Sequence, residues 1–288
     1  MTATDPDLQL YRAAFSAYLD ALAPLRPTGD RPLPYDLVET VTTVRWHMPI
    51  LDALIAGDIR ESLNDIHQWQ SQLISLQAWV AVVSSGQFED DDAWTLRRDW
   101  VEPLATWCLL QPAATRDRLG NLATNVVHHG RVSTDSTYPD RLEGDDTNRF
   151  LNRPARERQL RRIGENVKAL PAFLDRLLAL DGKTFKRETF NFRNRASHSI
   201  APRLEQGFTQ MVTRIVGPFE TLVPQSGGTF ELVLDPKRLA VYYGFGGTPP
   251  LALDVAATLV ADEYKKARAA VDAYLDLVRD IIDGIAKR

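Results

Sequence analysis

The sequence predicts an all-α protein that carries one small β-hairpin. Along most of the 288-residue chain, apolar residues recur at intervals of three and four, which is the spacing of an amphipathic helix. Segments rich in proline, glycine or serine separate these periodic runs, as expected of loops between helices. The exception is residues 229–245, where the pattern is typical of strands. Together these patterns indicate a helical bundle with a small β-hairpin insertion.

Helices are predicted wherever the three-and-four spacing persists. Their ranges are 6–25, 35–57, 59–85, 91–110, 112–129, 150–180, 184–200 and 254–286. The last helix is the most regular, because its apolar residues recur at a mean spacing of about 3.5. These residues are Leu253, Ala257, Val260, Tyr264, Ala267, Val271, Tyr274, Val278, Ile281 and Ile285. Such a seam fits either a helical bundle or a partner helix, and we expect packing within the chain.

The predicted hairpin occupies residues 229–245. Apolar side chains alternate over 230–235, Pro236-Lys237 follows, and β-prone aromatic residues fill 241–245. The polar loop at 130–147 is the best candidate for a domain boundary. We therefore divide the chain into a helical N-terminal region of unknown role, residues 1–145, and a helical domain with the hairpin insertion, residues 146–288.

Composition limits the class of protein. Hydrophobic residues make up 44% of the chain, enough for a sizeable core, and the formal net charge of −4 argues against a uniformly basic surface. The first residues lack the features of a signal peptide, and no apolar run approaches about 18 residues. We therefore expect a cytoplasmic protein without a membrane partner. The single cysteine, Cys108, excludes an internal disulfide and is expected to be buried.

Arginines are concentrated after the acidic segment 135–146. Those within 14 residues of one another are Arg149, Arg153, Arg156, Arg158, Arg161 and Arg162. So many arginines in a short segment suit a surface that binds the phosphate backbone of RNA, with Arg158, Arg161 and Arg162 as candidate contacts. A solvated helix face is the alternative interpretation.

Residues 191–198 place an arginine, an amide and a histidine in one polar cluster. The guanidinium of Arg193 can hold a phosphate with two parallel hydrogen bonds and stays charged at any relevant pH. The imidazole of His198 can give or take a proton near neutrality. These two abilities suffice for RNA cleavage without a metal ion.

The pattern Arg193-Asn194-x-x-x-His198 resembles the R-x(4–6)-H motif of the HEPN superfamily, in which a polar residue commonly follows the arginine. HEPN domains are all-α and include many metal-independent ribonucleases of prokaryotic defence and toxin systems. The resemblance covers at most the C-terminal half of the chain. It implies a helical bundle of HEPN type that pairs as a symmetric homodimer, so that two motifs meet in one site. It also implies a toxin or antiviral effector that an antitoxin or another regulatory partner could restrain.

For such a site we expect an RNA 2′-hydroxyl to attack the adjacent phosphate, which leaves a 2′,3′-cyclic phosphate and a 5′-hydroxyl. His198 is expected as the general acid or base, and Arg193 as the group that stabilises charge on the phosphorane oxygens. Asn194 would orient a phosphate oxygen or the imidazole. DNA could not react, because it lacks the attacking hydroxyl.

Helical projection adds candidates for substrate binding. In the predicted helix 184–200, one polar stripe contains Arg187, Asn191, Asn194 and His198. Arg195 is a further candidate because it lies beside the motif. Arg193 and His198 are five residues apart, or about 140° around an α-helix, so they would flank a groove.

Two alternatives to a ribonuclease stay open. One is a non-catalytic dimeric protein of the same fold that binds a nucleotide or RNA through Arg193 and His198. The other is a helical scaffold unrelated to HEPN, in which the cluster arises by chance and the seam at 253–285 mediates assembly.

The sequence predicts neither a cofactor nor a metal ion. It contains no P-loop and no dinucleotide-binding fingerprint. His47 and His67 are expected to pack on apolar helices. The adjacent His128 and His129 would point in different directions, which argues against a two-histidine metal clamp.

Overall fold

The computed structural model describes residues 6–26, 32–147 and 151–287. Contacts between Cα atoms divide the chain into a larger unit, residues 1–188 and 253–288, and a smaller unit, residues 189–252. The smaller unit is therefore inserted in the sequence of the larger one. The boundary expected between residues 145 and 146 falls inside the larger unit.

The described chain is mostly helical and contains one two-stranded antiparallel sheet, in agreement with the predicted fold class. In chain order the elements are α1 (Pro6–Leu22), α2 (Asp36–Thr40), α3 (Leu51–Val83), α4 (Asp90–Leu96), α5 (Glu102–Thr134), α6 (Arg153–Ile163), α7 (Leu170–Ala179), α8 (Lys183–Glu188), α9 (Phe192–His198), β1 (Val212–Pro224), β2 (Phe230–Phe245) and α10 (Leu253–Ala286). One turn of π-helix, Arg97–Val101, joins α4 to α5. Within the described residues, no helix combines the length and apolar character needed to cross a bilayer.

The core of the larger unit is built around α10, which packs against α3, α5 and α7. Every residue of the predicted seam is buried, as expected for packing within the chain. Large side chains from the surrounding helices complete the core, including Trp69 and Phe173, which are 1% and 0% exposed. Cys108 is also fully buried, and burial raises the pKa of its thiol to about 12, as expected of a core residue.

Several predicted helix boundaries are wrong. α3 runs without a break across residue 58, whereas none of residues 41–50 is α-helical. Pro49 accounts for the late start of α3, because proline lacks the N–H that a helix interior needs. α5 continues through Pro112, which is buried, so tertiary packing offsets the missing hydrogen bond.

The predicted helix 150–180 is two helices, α6 and α7, separated by residues 164–169. The amide of Gly164 donates to the carbonyl oxygen of Leu160 at 3.0 Å and closes the last turn of α6. A Cβ atom at Gly164 would lie 2.5 Å from Cδ2 of Leu170. The side chain of Leu170 would therefore have to shift to admit a Cβ atom at this position.

The smaller unit contains the hairpin, which is confirmed, although its strands differ from the prediction. Residues 229–245 contain one strand, β2, rather than both strands of the hairpin. The antiparallel partner, β1, was not predicted. The turn lies at 225–229, where Gly227 and Gly228 adopt positive φ. Pro236 falls where the pairing register shifts, so its missing N–H interrupts no ladder bond.

Two glycines inside long helices should respond oppositely to a Cβ atom. At Gly130 in α5, a Cβ would lie 2.4 Å from Cγ2 of Ile281 in α10, whereas at Gly57 in α3 nothing lies within 4 Å. We expect Gly130→Ala to lower the free energy of unfolding by about 1–2 kcal/mol, because overpacking exceeds the gain in helix propensity. Gly57→Ala should raise it by about 0.5–1 kcal/mol. Urea unfolding followed by circular dichroism measures both, and a Gly130→Ala midpoint at or above that of the wild type would contradict the close packing of α5 against α10.

Candidate functional site

The polar cluster lies on α9, which belongs to the smaller unit. The predicted helix 184–200 is broken, because Phe190 and Asn191 have φ of 51° and 56°. A left-handed residue ends a helical run, and asparagine tolerates this conformation better than most. Phe192 then begins α9 and is only 2% exposed, so it anchors the helix.

This break overturns the stripe predicted from a continuous helix. Arg187 lies on α8 in the larger unit, where its guanidinium bonds Glu188 at 2.7 Å. Asn191 is the left-handed residue in front of α9, and it accepts a backbone hydrogen bond from Arg195 at 3.1 Å. Only Asn194 and His198 remain as a pair four residues apart on one face of one helix.

The three residues of the motif are available to a ligand. Arg193, Asn194 and His198 are exposed, and within the described part of the chain their side chains form no hydrogen bond or ion pair. Arg193 lies five positions from His198 on α9, so the guanidinium and the imidazole leave the helix in different directions. Both groups can therefore reach one phosphate only if that phosphate sits against more than one face of α9, or if a second copy contributes.

Arg195 has a different role from its neighbours. Its guanidinium donates to the carbonyl oxygen of Ile200 at 3.1 Å, to Oε1 of Gln210 at 3.2 Å, and to Oγ1 of Thr248. These contacts join α9 to the segments that lead into and out of the hairpin. Arg195 thus holds α9 in place within the smaller unit, and each nitrogen of its guanidinium is already engaged.

The arginine-rich segment serves two purposes. Arg153 and Arg156 are engaged in the fold, the first with Asp117 and Asp181 and the second with the carbonyl oxygen of Leu151. The predicted RNA contacts lie on one exposed face of α6, where the spacing of three and four residues groups them. They are Arg158, Arg161 and Arg162, of which Arg162 bonds Glu143 at 3.2 Å. Arg149 lies outside the described residues.

A cavity of about 450 Å³ lies beside α5 and α10 in the larger unit. Its charged lining is mixed, because Arg131 and Lys168 stand with Asp135 and Asp280. None of the residues predicted from the motif lines it. We therefore place no function there.

The structure also assembles a cluster that the sequence did not predict. A ring nitrogen of His47, a ring nitrogen of His129 and a carboxylate oxygen of Asp140 all lie within 4.8 Å of one another. His128 joins them, since its Nε2 is 2.8 Å from Oδ1 of Asp140. The expectation that His47 serves in packing alone is therefore incomplete, because the fold brings residues 47, 129 and 140 together.

The environment sets the charge of two members of the cluster. Burial lowers the pKa of His129, and the neighbouring His128 and His47 lower it further, so the imidazole is mostly neutral at pH 7. The hydrogen bond from His128 lowers the pKa of Asp140, which is therefore ionised. A neutral imidazole and a carboxylate are the protonation states in which these side chains bind metal ions.

No family model, no curated protein and no solved structure matches this chain. Its function must therefore be inferred from the geometry of its own residues.

Proposed function

We propose that this protein is a metal-independent endoribonuclease of HEPN type that acts at α9. The observation that carries the proposal is the availability of Arg193, Asn194 and His198, which are exposed and unengaged on a helix held by Phe192 and Arg195. Surface groups of this kind contribute little to folding, whereas a guanidinium, an amide and an imidazole together fit a phosphate.

In the proposed reaction, the 2′-oxygen of RNA attacks the adjacent phosphorus and the bond from phosphorus to the 5′-oxygen breaks. The imidazole of His198 takes the proton of the 2′-hydroxyl and gives it to the departing 5′-oxygen. The guanidinium of Arg193 stabilises the charge on the non-bridging oxygens, and Asn194 orients one of them. The products are a 2′,3′-cyclic phosphate and a 5′-hydroxyl, and no metal ion takes part.

A homodimer supplies what a single α9 lacks. Because Arg193 and His198 leave the helix in different directions, a two-fold axis through this surface would set the Arg193 of one copy against the His198 of the other. Arg158, Arg161 and Arg162 on α6 are the proposed contacts to the remaining RNA backbone.

Regulation follows from the proposed activity. A ribonuclease of the toxin or defence type would have to be restrained in the cell, so an antitoxin or another regulatory partner belongs to the proposal. Such a partner would cover the exposed face of α9.

Incubation of single-stranded RNA with the purified protein in EDTA tests the proposed activity. We expect cleavage that persists in the chelator, spares a DNA of the same sequence, and leaves 2′,3′-cyclic phosphate ends. An RNA with one 2′-deoxynucleotide should resist cleavage at that position alone. RNA that stays intact yet binds in a gel-shift assay would overturn the catalytic proposal in favour of a non-catalytic RNA-binding protein.

A further inference from the structure

Three segments of the chain meet at Asp140. His47 lies on the loop before α3, His128 and His129 lie on α5, and Asp140 follows α5 on a loop. Three of the five histidines of the chain thus surround one carboxylate. This group is separate from α9 and takes no part in the proposed cleavage of RNA.

Hydrogen bonds determine which nitrogen of His47 carries a proton when the ring is neutral. The hydroxyl of Ser133 donates to the carbonyl oxygen of His129 at 2.7 Å and accepts from the backbone amide of His47 at 3.0 Å. It can only accept from Nδ1 of His47, which lies 3.3 Å away. Nδ1 therefore carries the hydrogen and Nε2 carries a lone pair.

That lone pair faces an electron-rich partner. Nε2 of His47 lies 3.7 Å from Oδ2 of Asp140, and it is buried without a hydrogen-bond partner among the described residues. Nδ1 of His129 is likewise buried and has no partner within the same residues. The lone pair on Nε2 of His47 and the carboxylate of Asp140 repel each other unless a cation lies between them.

A second set of contacts orients these three groups. Nε2 of His128 donates to Oδ1 of Asp140, which leaves Oδ2 turned toward His47. The hydroxyl of Tyr138 lies 3.3 Å from Nδ1 of His128 and can donate to it. Hydrogen bonds of this kind, from side chains to a ligating carboxylate or from a ligating imidazole to an oxygen, typically surround metal sites.

We propose that His47, His129 and Asp140 bind a divalent transition-metal ion of the zinc class. Two imidazoles and one carboxylate form a ligand set typical of zinc, and they leave a fourth position for water. Ligands of tetrahedral zinc lie about 3.3–3.5 Å apart, so the observed spacing needs a small inward movement. Asp140 can supply it, because its side chain is 54% exposed on a loop.

Titration of the full-length, untagged protein with Zn²⁺ after dialysis against EDTA tests the site. A competing chromophoric chelator measures the affinity, and native mass spectrometry gives the stoichiometry. We expect one Zn²⁺ per chain, and an Asp140→Asn variant that binds at least about 10-fold more weakly. Asp146→Asn is the matched control, because this exposed carboxylate lies on the same loop and pairs with Arg141 instead. Its affinity should stay within about twofold of the wild type.

A second measurement reports the ligand set directly. Co²⁺ bound in place of Zn²⁺ should give the visible absorption of a tetrahedral site in the wild type and in Asp146→Asn, and Zn²⁺ should displace it. Circular dichroism of the metal-free variants establishes that each is folded. Absence of saturable binding, or equal affinities of Asp140→Asn and the wild type, would overturn the proposal. In that case a proton shared between the side chains would be the cation of the cluster.

Discussion

Replacement of His198 by alanine is expected to lower the rate of RNA cleavage by about 10²- to 10⁴-fold, the usual contribution of a general acid or base. The imidazole is exposed at the end of α9, so its removal should change the free energy of unfolding by less than about 0.5 kcal/mol. Rates with a fluorophore-labelled RNA in EDTA measure the first effect, and thermal unfolding measures the second. Ser199→Ala is the control, because Ser199 is exposed next to His198 and lies outside the motif. Cleavage by His198→Ala at the wild-type rate would exclude His198 from the reaction.

Mixing two inactive variants tests whether one site draws on two copies. Arg193→Ala retains His198, and His198→Ala retains Arg193, so a heterodimer would hold one intact composite site if the two residues act across an interface. We expect activity to reappear after the variants are unfolded and refolded together. A mixture as inactive as its parts would place Arg193 and His198 of the same chain in each site.

Replacement of Arg153 by methionine is expected to lower the free energy of unfolding by about 3 kcal/mol. The guanidinium lies 2.8 Å from a carboxylate oxygen of Asp117 and 2.8 Å from one of Asp181, whose side chain is only 5% exposed. Burial lowers the pKa of Arg153, but the hydrogen bonds to these carboxylates outweigh that effect and raise it. Without Arg153, the buried Asp181 keeps one cationic partner among the described residues, Lys186 at 3.0 Å.

Arg158→Met provides the comparison, because Arg158 is exposed on the same helix. Its effect on urea unfolding should stay within about 0.5 kcal/mol. Arg158→Met should instead weaken RNA binding, most strongly at low salt, if α6 contacts the phosphate backbone. Equal stability of the two variants would show that the ion pairs of Arg153 add nothing to the fold.

The sequence predictions are accurate where a long and regular pattern of apolar residues marks an element, and they fail where no such pattern exists. α10 was predicted within one residue of its start and end, because its apolar seam is long and regular. The break before α9 was missed, since Phe190 and Asn191 are not glycine or proline and nothing in their spacing marks a left-handed backbone. β1 was missed because it alternates weakly and most of its side chains are exposed on a two-stranded sheet.

The candidate sites differ in the same way. Arg193, Asn194 and His198 are adjacent enough in sequence to be recognised as a group. The cluster at Asp140 required the fold, because residues 47, 129 and 140 come from separate segments. The spacing of these three residues follows no recognisable pattern, so the sequence alone did not group them.

The insertion of residues 189–252 has a consequence for biosynthesis. α10 covers the apolar faces of α3, α5 and α7, yet the ribosome makes it only after the whole smaller unit. At about 5–20 residues per second, synthesis of that segment takes roughly 3–13 s. During this interval the larger unit lacks its central helix, so the apolar core of the nascent chain stays uncovered until α10 emerges.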